Sequence, residues 1–268
     1  MIRKPAVAGR FYPGSKEEWE TEVRQYMPEE QGQEETPILC MLPHAGYIFS
    51  GHVAGQTLAG AKLSDTVLLL GPNHTGLGAA LAVWAEGSWE IPGAVMNIDE
   101  DLAGTLLEAH PDLSRDTEAH RPEHSLEVIL PFLWVKNPET RIVPICVAAP
   151  DPGLLTSVGK KIGQVLKSRT EPVSIIVSSD MSHFISERQA RIQDEKAIQA
   201  ILDLDPEKLY RTVQQEGISM CGVLPMTLGL SLALELGASR AEQVKYANSG
   251  DVTGDREQVV AYAGIRVF

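Results

Sequence analysis

The chain has 268 residues, 43% of them hydrophobic, with 23 Lys and Arg against 36 Asp and Glu, a formal charge of −13. That length suits one large domain or two small ones, and the apolar fraction supplies a sizeable core. The acidic balance argues against nucleic acid and anionic membrane as partners, because both need a positive surface field.

No apolar stretch of the signal-peptide kind follows Met1-Ile2-Arg3-Lys4-Pro5, so none is expected there. The longest uncharged apolar runs, such as Val128 to Val135, are far too short to span a bilayer, and a cytoplasmic protein is expected. Glu29 to Glu35 holds four carboxylates among Gln and Gly and reads as a solvated loop. Near-continuous apolar runs then recur at Ile38 to Leu42, Thr66 to Leu70, Arg141 to Val147, Val173 to Val177, Val244 to Ala247 and Val259 to Val267. Their lack of polar alternation predicts strands covered on both faces, as in a largely parallel sheet. Ala79 to Val95, with Trp84, Gly87 and Trp89, reads as an antiparallel hairpin appended to that sheet.

Helical spacing lies between the strands, at His52 to Leu63 and at Asp99 to Ala109, the latter opening on a capping Asp. Ser125 to Val135 carries Pro131, which should end or kink it. Asp151-Pro152 starts a helix to about Lys167, and others are expected at Glu187 to Leu202, Pro206 to Gln215 and Pro225 to Leu236. The last is almost uncharged and so buried. Alternation of strand and helix, with no repeat and no linker, predicts one three-layer α/β/α domain over residues 1–268, built on a mostly parallel central sheet.

Four of the seven histidines sit in short polar segments: Pro43-His44-Ala45-Gly46-Tyr47, Gly71-Pro72-Asn73-His74, Pro122-Glu123-His124-Ser125 and Ser179-Asp180-Met181-Ser182-His183. Three of them follow predicted strands, where open α/β sheets place their ligands. A lone loop histidine is commonly structural; two in matched positions, His44 and His74, point to a site. Asp180 and His183, three apart, would share a face if the segment turned helically. There Asp180 either orients an imidazole or caps the following turn. Cys221, ahead of a buried helix, has the placement of a stabilised thiolate and suits a nucleophile or a metal ligand. Cys40 and Cys146 fall inside apolar strands as small core residues, and three unpaired, widely spaced cysteines make neither a disulfide framework nor a structural zinc site. His52 and His110 need only surface or capping roles. His120-Arg121-Pro122-Glu123-His124 matches the inverted zinc-peptidase pattern, but Pro122 breaks the helix that chemistry requires. His124 is better placed entering the Ser125 helix and pointing at the same crevice.

These segments, with Glu123-His124-Ser125-Leu126-Glu127, Met220-Cys221-Gly222, the opening Arg3 to Pro13 and the closing Tyr246 to Gly250, resemble the Memo family, called AmmeMemoRadiSam system protein B in prokaryotes. The likeness runs in order over nearly the whole chain. It implies a fold related to the class III extradiol ring-cleaving dioxygenases, where two histidines and a carboxylate hold Fe(II). In Memo-like proteins a cysteine takes the third place, which would make His44, His74 and Cys221 the metal set. Asp180, His183 and His124 would then line the pocket as catalytic groups. A thiolate is soft and oxidisable, so iron or copper is expected before zinc, and ring cleavage does not carry over from the fold. The family's prokaryotic name implies radical-SAM and AMMECR-type protein partners by association. Three functions remain open at this point: a metal-dependent oxidoreductase acting on a small-molecule or peptide substrate, a non-catalytic metal- or peptide-binding scaffold, and a zinc-dependent hydrolase.

Overall fold

The computed structural model of the protein describes residues 1–28 and 35–268. Most of the acidic run at Glu29 to Glu35 therefore lies outside the described residues. In chain order the elements are β1 (Ile2–Arg3), α1 (Lys16–Tyr26), β2 (Leu39–Leu42), α2 (Tyr47–Ala59), β3 (Thr66–Pro72), β4 (Leu81–Val83), β5 (Ser88–Ile91), β6 (Ala94–Asn97), α3 (Glu100–Ala109) and β7 (Ser114–Arg115). A 3-10 turn (Glu127–Ile129) then leads into α4 (Leu130–Lys136), followed by β8 (Arg141–Val147), α5 (Pro152–Lys167), β9 (Val173–Ser178), β10 (His183–Ile185) and α6 (Glu187–Leu202). The chain closes with α7 (Pro206–Glu216), α8 (Val223–Glu235), β11 (Ala241–Asn248), α9 (Gly250–Thr253) and β12 (Val259–Val267).

The large sheet runs β10-β12-β2-β9-β3-β8-β4-β7, with β11 on the other edge of β12. Its centre, β2-β9-β3-β8, is parallel, as fully buried apolar strands require, while β12 and β4 flank it antiparallel. Alternate residues send their side chains to opposite faces. On one face Leu39, Leu70 and Val177 meet Gly229 of α8; on the other Arg266 donates to the Thr57 carbonyl of α2 at 2.8 Å. Helices thus cover both sides of the sheet. α8 is apolar all round and buried between the sheet and α5. That contact is close because Gly159 of α5 has no side chain: a Cβ there would lie 2.4 Å from the Leu228 carbonyl oxygen.

Local chemistry sets the ends. Asp99, Asp151, Ser186 and Asp205 each accept a backbone N–H of the helix that follows, and Pro152 and Pro206 stand in first turns, where no donor is lost. Three expectations change. Pro131 does not end a helix but sits in the first turn of α4, because a 3-10 turn has already closed before it. The stretch Ala79 to Val95 is divided: β4 joins the large sheet, while β5 pairs with β6 on one side and β1 on the other. The helix expected from His52 begins earlier, at Tyr47, so His52 lies inside it. Among the described residues no helix is long and apolar enough to cross a membrane.

Candidate metal centre

Three adjacent parallel strands end at one edge. β2 delivers His44, β9 delivers Asp180, and β3 delivers His74. From below, the loop before α8 brings in Cys221. Gly222 permits this approach, since a Cβ there would lie 2.3 Å from the Ser179 Cβ, and its N–H donates to Ser179 Oγ at 3.1 Å.

His44 is 2% exposed, and its backbone N–H donates to Asp180 Oδ1 at 2.8 Å. Its Nδ1 is 2.6 Å from Ser178 Oγ, and that hydroxyl donates its own proton to the Ser125 carbonyl at 2.7 Å. Ser178 must therefore accept from Nδ1–H, leaving the Nε2 lone pair directed at Cys221 Sγ, 3.4 Å away. His74 Nδ1 is 2.8 Å from Glu123 Oε1, and its backbone N–H reaches Glu123 Oε2 at 2.6 Å. The same Oε1 accepts the His124 and Ser125 N–H groups at 3.0 and 2.9 Å and lies 3.4 Å from His124 Nδ1. His74 and His124 stack with centroids 4.7 Å apart, and His44 lies 5.3 and 5.4 Å from them. Each Nδ1 thus faces an oxygen.

The charges follow from these neighbours. Burial lowers the His44 imidazole well below its ordinary range, and the two histidines beside it add to this. Burial also lowers His124, outweighing the attraction of Glu123. For His74 burial works downward, but the hydrogen bond and charge of Glu123 overcome it and raise the group. Glu123 is driven to about 2: burial opposes this, and the His74 bond and charge together with the Ser125 and His74 N–H groups prevail. Burial raises the Asp180 carboxyl against the His44 N–H that holds it down.

His44, His74 and Cys221 have donor atoms all within 4.8 Å of one another. A tetrahedral ion held at about 2.1 Å by nitrogen and about 2.3 Å by sulfur needs N···S near 3.5 Å, and the His44–Cys221 pair is at 3.4 Å. Two imidazoles and a thiol suit soft or borderline first-row ions rather than hard ions that want six oxygens. A second group, His74, Glu123 and His124, is equally close. Asp180 touches both sides, its N–H donating to Cys221 Sγ at 3.2 Å.

Two sequence expectations are corrected. Asp180 and His183 do not share a helical face, because Met181 and Ser182 lie in no helix and bond instead to Ala261 of β12. The Cys221 thiol is not acidified by its helix: burial pushes it well above its ordinary range, and Asp180 adds to that. A thiolate there needs a cation beside it. His183 lies apart from the cluster on β10, its Nδ1 2.9 Å from the Ser219 carbonyl. It nevertheless borders, with His124 and Asp180, a cleft of about 470 Å³. His120, the first residue of the rejected peptidase match, is buried elsewhere, bonded to the Ala82 carbonyl and packed on Trp84 and Trp89.

Glu123, Ser178 and Ser125, which hold the imidazoles, are not among the site residues the sequence predicts. For Glu123 the signal was available: an acidic residue beside His124, in a segment too broken to be a helix. A serine at a strand end gives almost none.

Fold and site together define a three-layer α/β protein with imidazoles, a thiol and carboxylates gathered at the carboxyl ends of its central strands. The family described as Memo-like protein matches residues 3–266, and the chain belongs to that family. It is 42% identical over 265 residues to a MEMO1 family protein of Aquifex aeolicus, covering 98% of each chain. A Methanopyrus kandleri MEMO1 family protein is 40% identical over 278 residues, covering 99% of this chain and 98% of that one. Among solved structures, an uncharacterized Escherichia coli K12 protein superposes with a TM-score of 0.57 at 14% identity, over 85% of this chain and 99% of that one, a likeness of fold.

Proposed function

We propose that this Memo-like protein holds one first-row transition ion, iron or copper in preference to zinc, through His44, His74 and Cys221, and performs redox chemistry on a small molecule in the adjoining cleft. The observation that carries the reading is the convergence of those three donors within 4.8 Å, with each imidazole's second nitrogen tied to an oxygen. Such partners fix the tautomer and raise ligand basicity. Bound there, the ion would supply one-electron chemistry and an open coordination position.

The rest falls to the chain. Glu123 and Ser178 orient His74 and His44 through their Nδ1 atoms. His183 donates Nδ1–H to Ser219, so its Nε2 is the atom that takes a proton from a molecule in the cleft. Asp180 braces the His44 and Cys221 segments against each other.

The test is metal analysis of protein purified under reducing conditions without added metal. Iron or copper near one per chain, lost in Cys221→Ser and kept in His183→Ala, is the expected result. Zinc in its place would move the reading to a hydrolase, and a persistently empty site would leave a binding scaffold.

A further inference from the structure

The cleft beside the cluster has a composition that selects its ligand. Its walls include Phe11, Phe49, Phe184 and Tyr262, and two carboxylates, Asp180 and Asp255. No lysine or arginine is among the residues that line it. Arg256, next in sequence to Asp255, is turned away and engages Glu187 and Asp251. Asp255 accepts the Glu257 N–H at 2.9 Å and enters no ion pair among the described residues. Phe184 stands at the mouth, 72% exposed, beside the His183 ring at a centroid distance of 5.9 Å. A large aromatic side chain left in water, next to the residue read above as a proton acceptor, is placed to cover a ligand rather than to build the core.

We infer that the ligand of this cleft is a protonated amine carried on an aromatic or apolar body. Ring faces and carboxylates both attract an organic cation, and the rings also bury its hydrocarbon. Phosphate and carboxylate ligands call for guanidinium or ammonium groups, and none is offered here. A divalent ion at the neighbouring cluster does not reverse the sign, because the Cys221 thiolate and Glu123 match its charge. The volume, about 470 Å³, is that of an ordinary small-molecule pocket. The inference rests on the proposed function only in taking this cleft as the place of the substrate.

Three probes with one body and different heads separate the cases: 2-phenylethylamine, 2-phenylethanol and phenylacetate, titrated calorimetrically into the full chain at pH 7.5. The amine should bind at least tenfold more tightly than phenylacetate, with the alcohol between them. Asp255→Asn and Phe184→Ala, both at exposed positions, should each weaken the amine about threefold and leave the alcohol less affected or unaffected by the charge change. Equal or tighter binding of phenylacetate, or an amine affinity indifferent to both substitutions, overturns the inference. The same titration in Cys221→Ser, with metal content measured, keeps the two readings apart. Amine preference retained without metal supports the ligand assignment alone. Metal present with phenylacetate preferred removes that assignment and leaves the metal site standing.

Discussion

Arg3 donates to Glu127 at 2.8 Å across 124 positions of sequence, with both side chains all but sealed from water. Neither charge is left with spare capacity. Arg3 also donates to the His120 and Glu123 carbonyls at 2.8 and 2.5 Å and lies over Trp89. Glu127 accepts the Ala6 and Val7 N–H groups and the Tyr12 hydroxyl. The pair clasps the amino-terminal segment to the loop carrying Glu123 and His124. Breaking a buried pair by removing one partner costs about 3–5 kcal/mol. Arg3→Ala or Glu127→Ala should therefore lower the urea midpoint severely; a change under roughly 1 kcal/mol would show that water takes over the lost contacts.

Glu123→Gln should weaken metal retention at His74 by about 10–100-fold, the usual cost of removing a carboxylate behind a ligating imidazole. The amide cannot accept from all the N–H groups that Glu123 serves, so His74 and His124 lose their shared anchor. Competition with a chelator of known affinity measures it. Retention equal to the parent protein would place Glu123 outside the metal's support.

Ser178→Ala should act more gently. It removes the acceptor of His44 Nδ1–H but no buried charge, so about 1–3 kcal/mol of desolvation is left at the imidazole. Metal affinity should fall while the fold stays intact by circular dichroism. A variant that unfolds would instead make the hydroxyl a core-building group.

The buried His120 gives a pH dependence of stability. Burial takes its imidazole down to about 4, against the Ala82 carbonyl that holds it up. The unfolded chain binds this proton near pH 6.5, the folded chain only near 4, so its contribution is whole above 6.5 and drains away as pH falls through that window. The full effect is roughly 3 kcal/mol. His120→Gln should be less stable than the parent at pH 7, and the difference should shrink towards pH 4.5 in urea titrations. Parallel pH profiles would refute the assignment.

Gly159→Val tests the helix layer. A side chain at this position meets the Leu228 backbone at 2.4 Å, so α5 and α8 must part. Overpacking of this kind costs about 1–3 kcal/mol. An unchanged thermal midpoint would mean that the helices slide freely on each other.

Much of this was readable from the chain. β2, β3, β8 and β9 are near-continuous apolar runs, so their strands declare themselves and so do the loops at their ends, with His44, His74 and Asp180. Asp99, Asp151 and Pro206 announce their helices through capping chemistry. What stayed hidden depends on contacts distant in sequence. Glu123 finds His74 from 49 positions away, and Ser178 finds Ser125 from 53. Nothing local marks such a pairing. Pro131 and the Asp180–His183 stretch failed for a related reason, since a 3-10 turn and a bond to β12 decide them rather than intrinsic propensity.

The bonds around the three imidazoles form one chain: His44 to Ser178, Ser178 to the Ser125 carbonyl, the Ser125 N–H to Glu123, and Glu123 to His74 and His124. The His44 and His74 rings sit at its two ends, and His124 joins it through its backbone N–H. Two donors of the candidate centre that lie on different strands are therefore tethered to a single continuous hydrogen-bonded line.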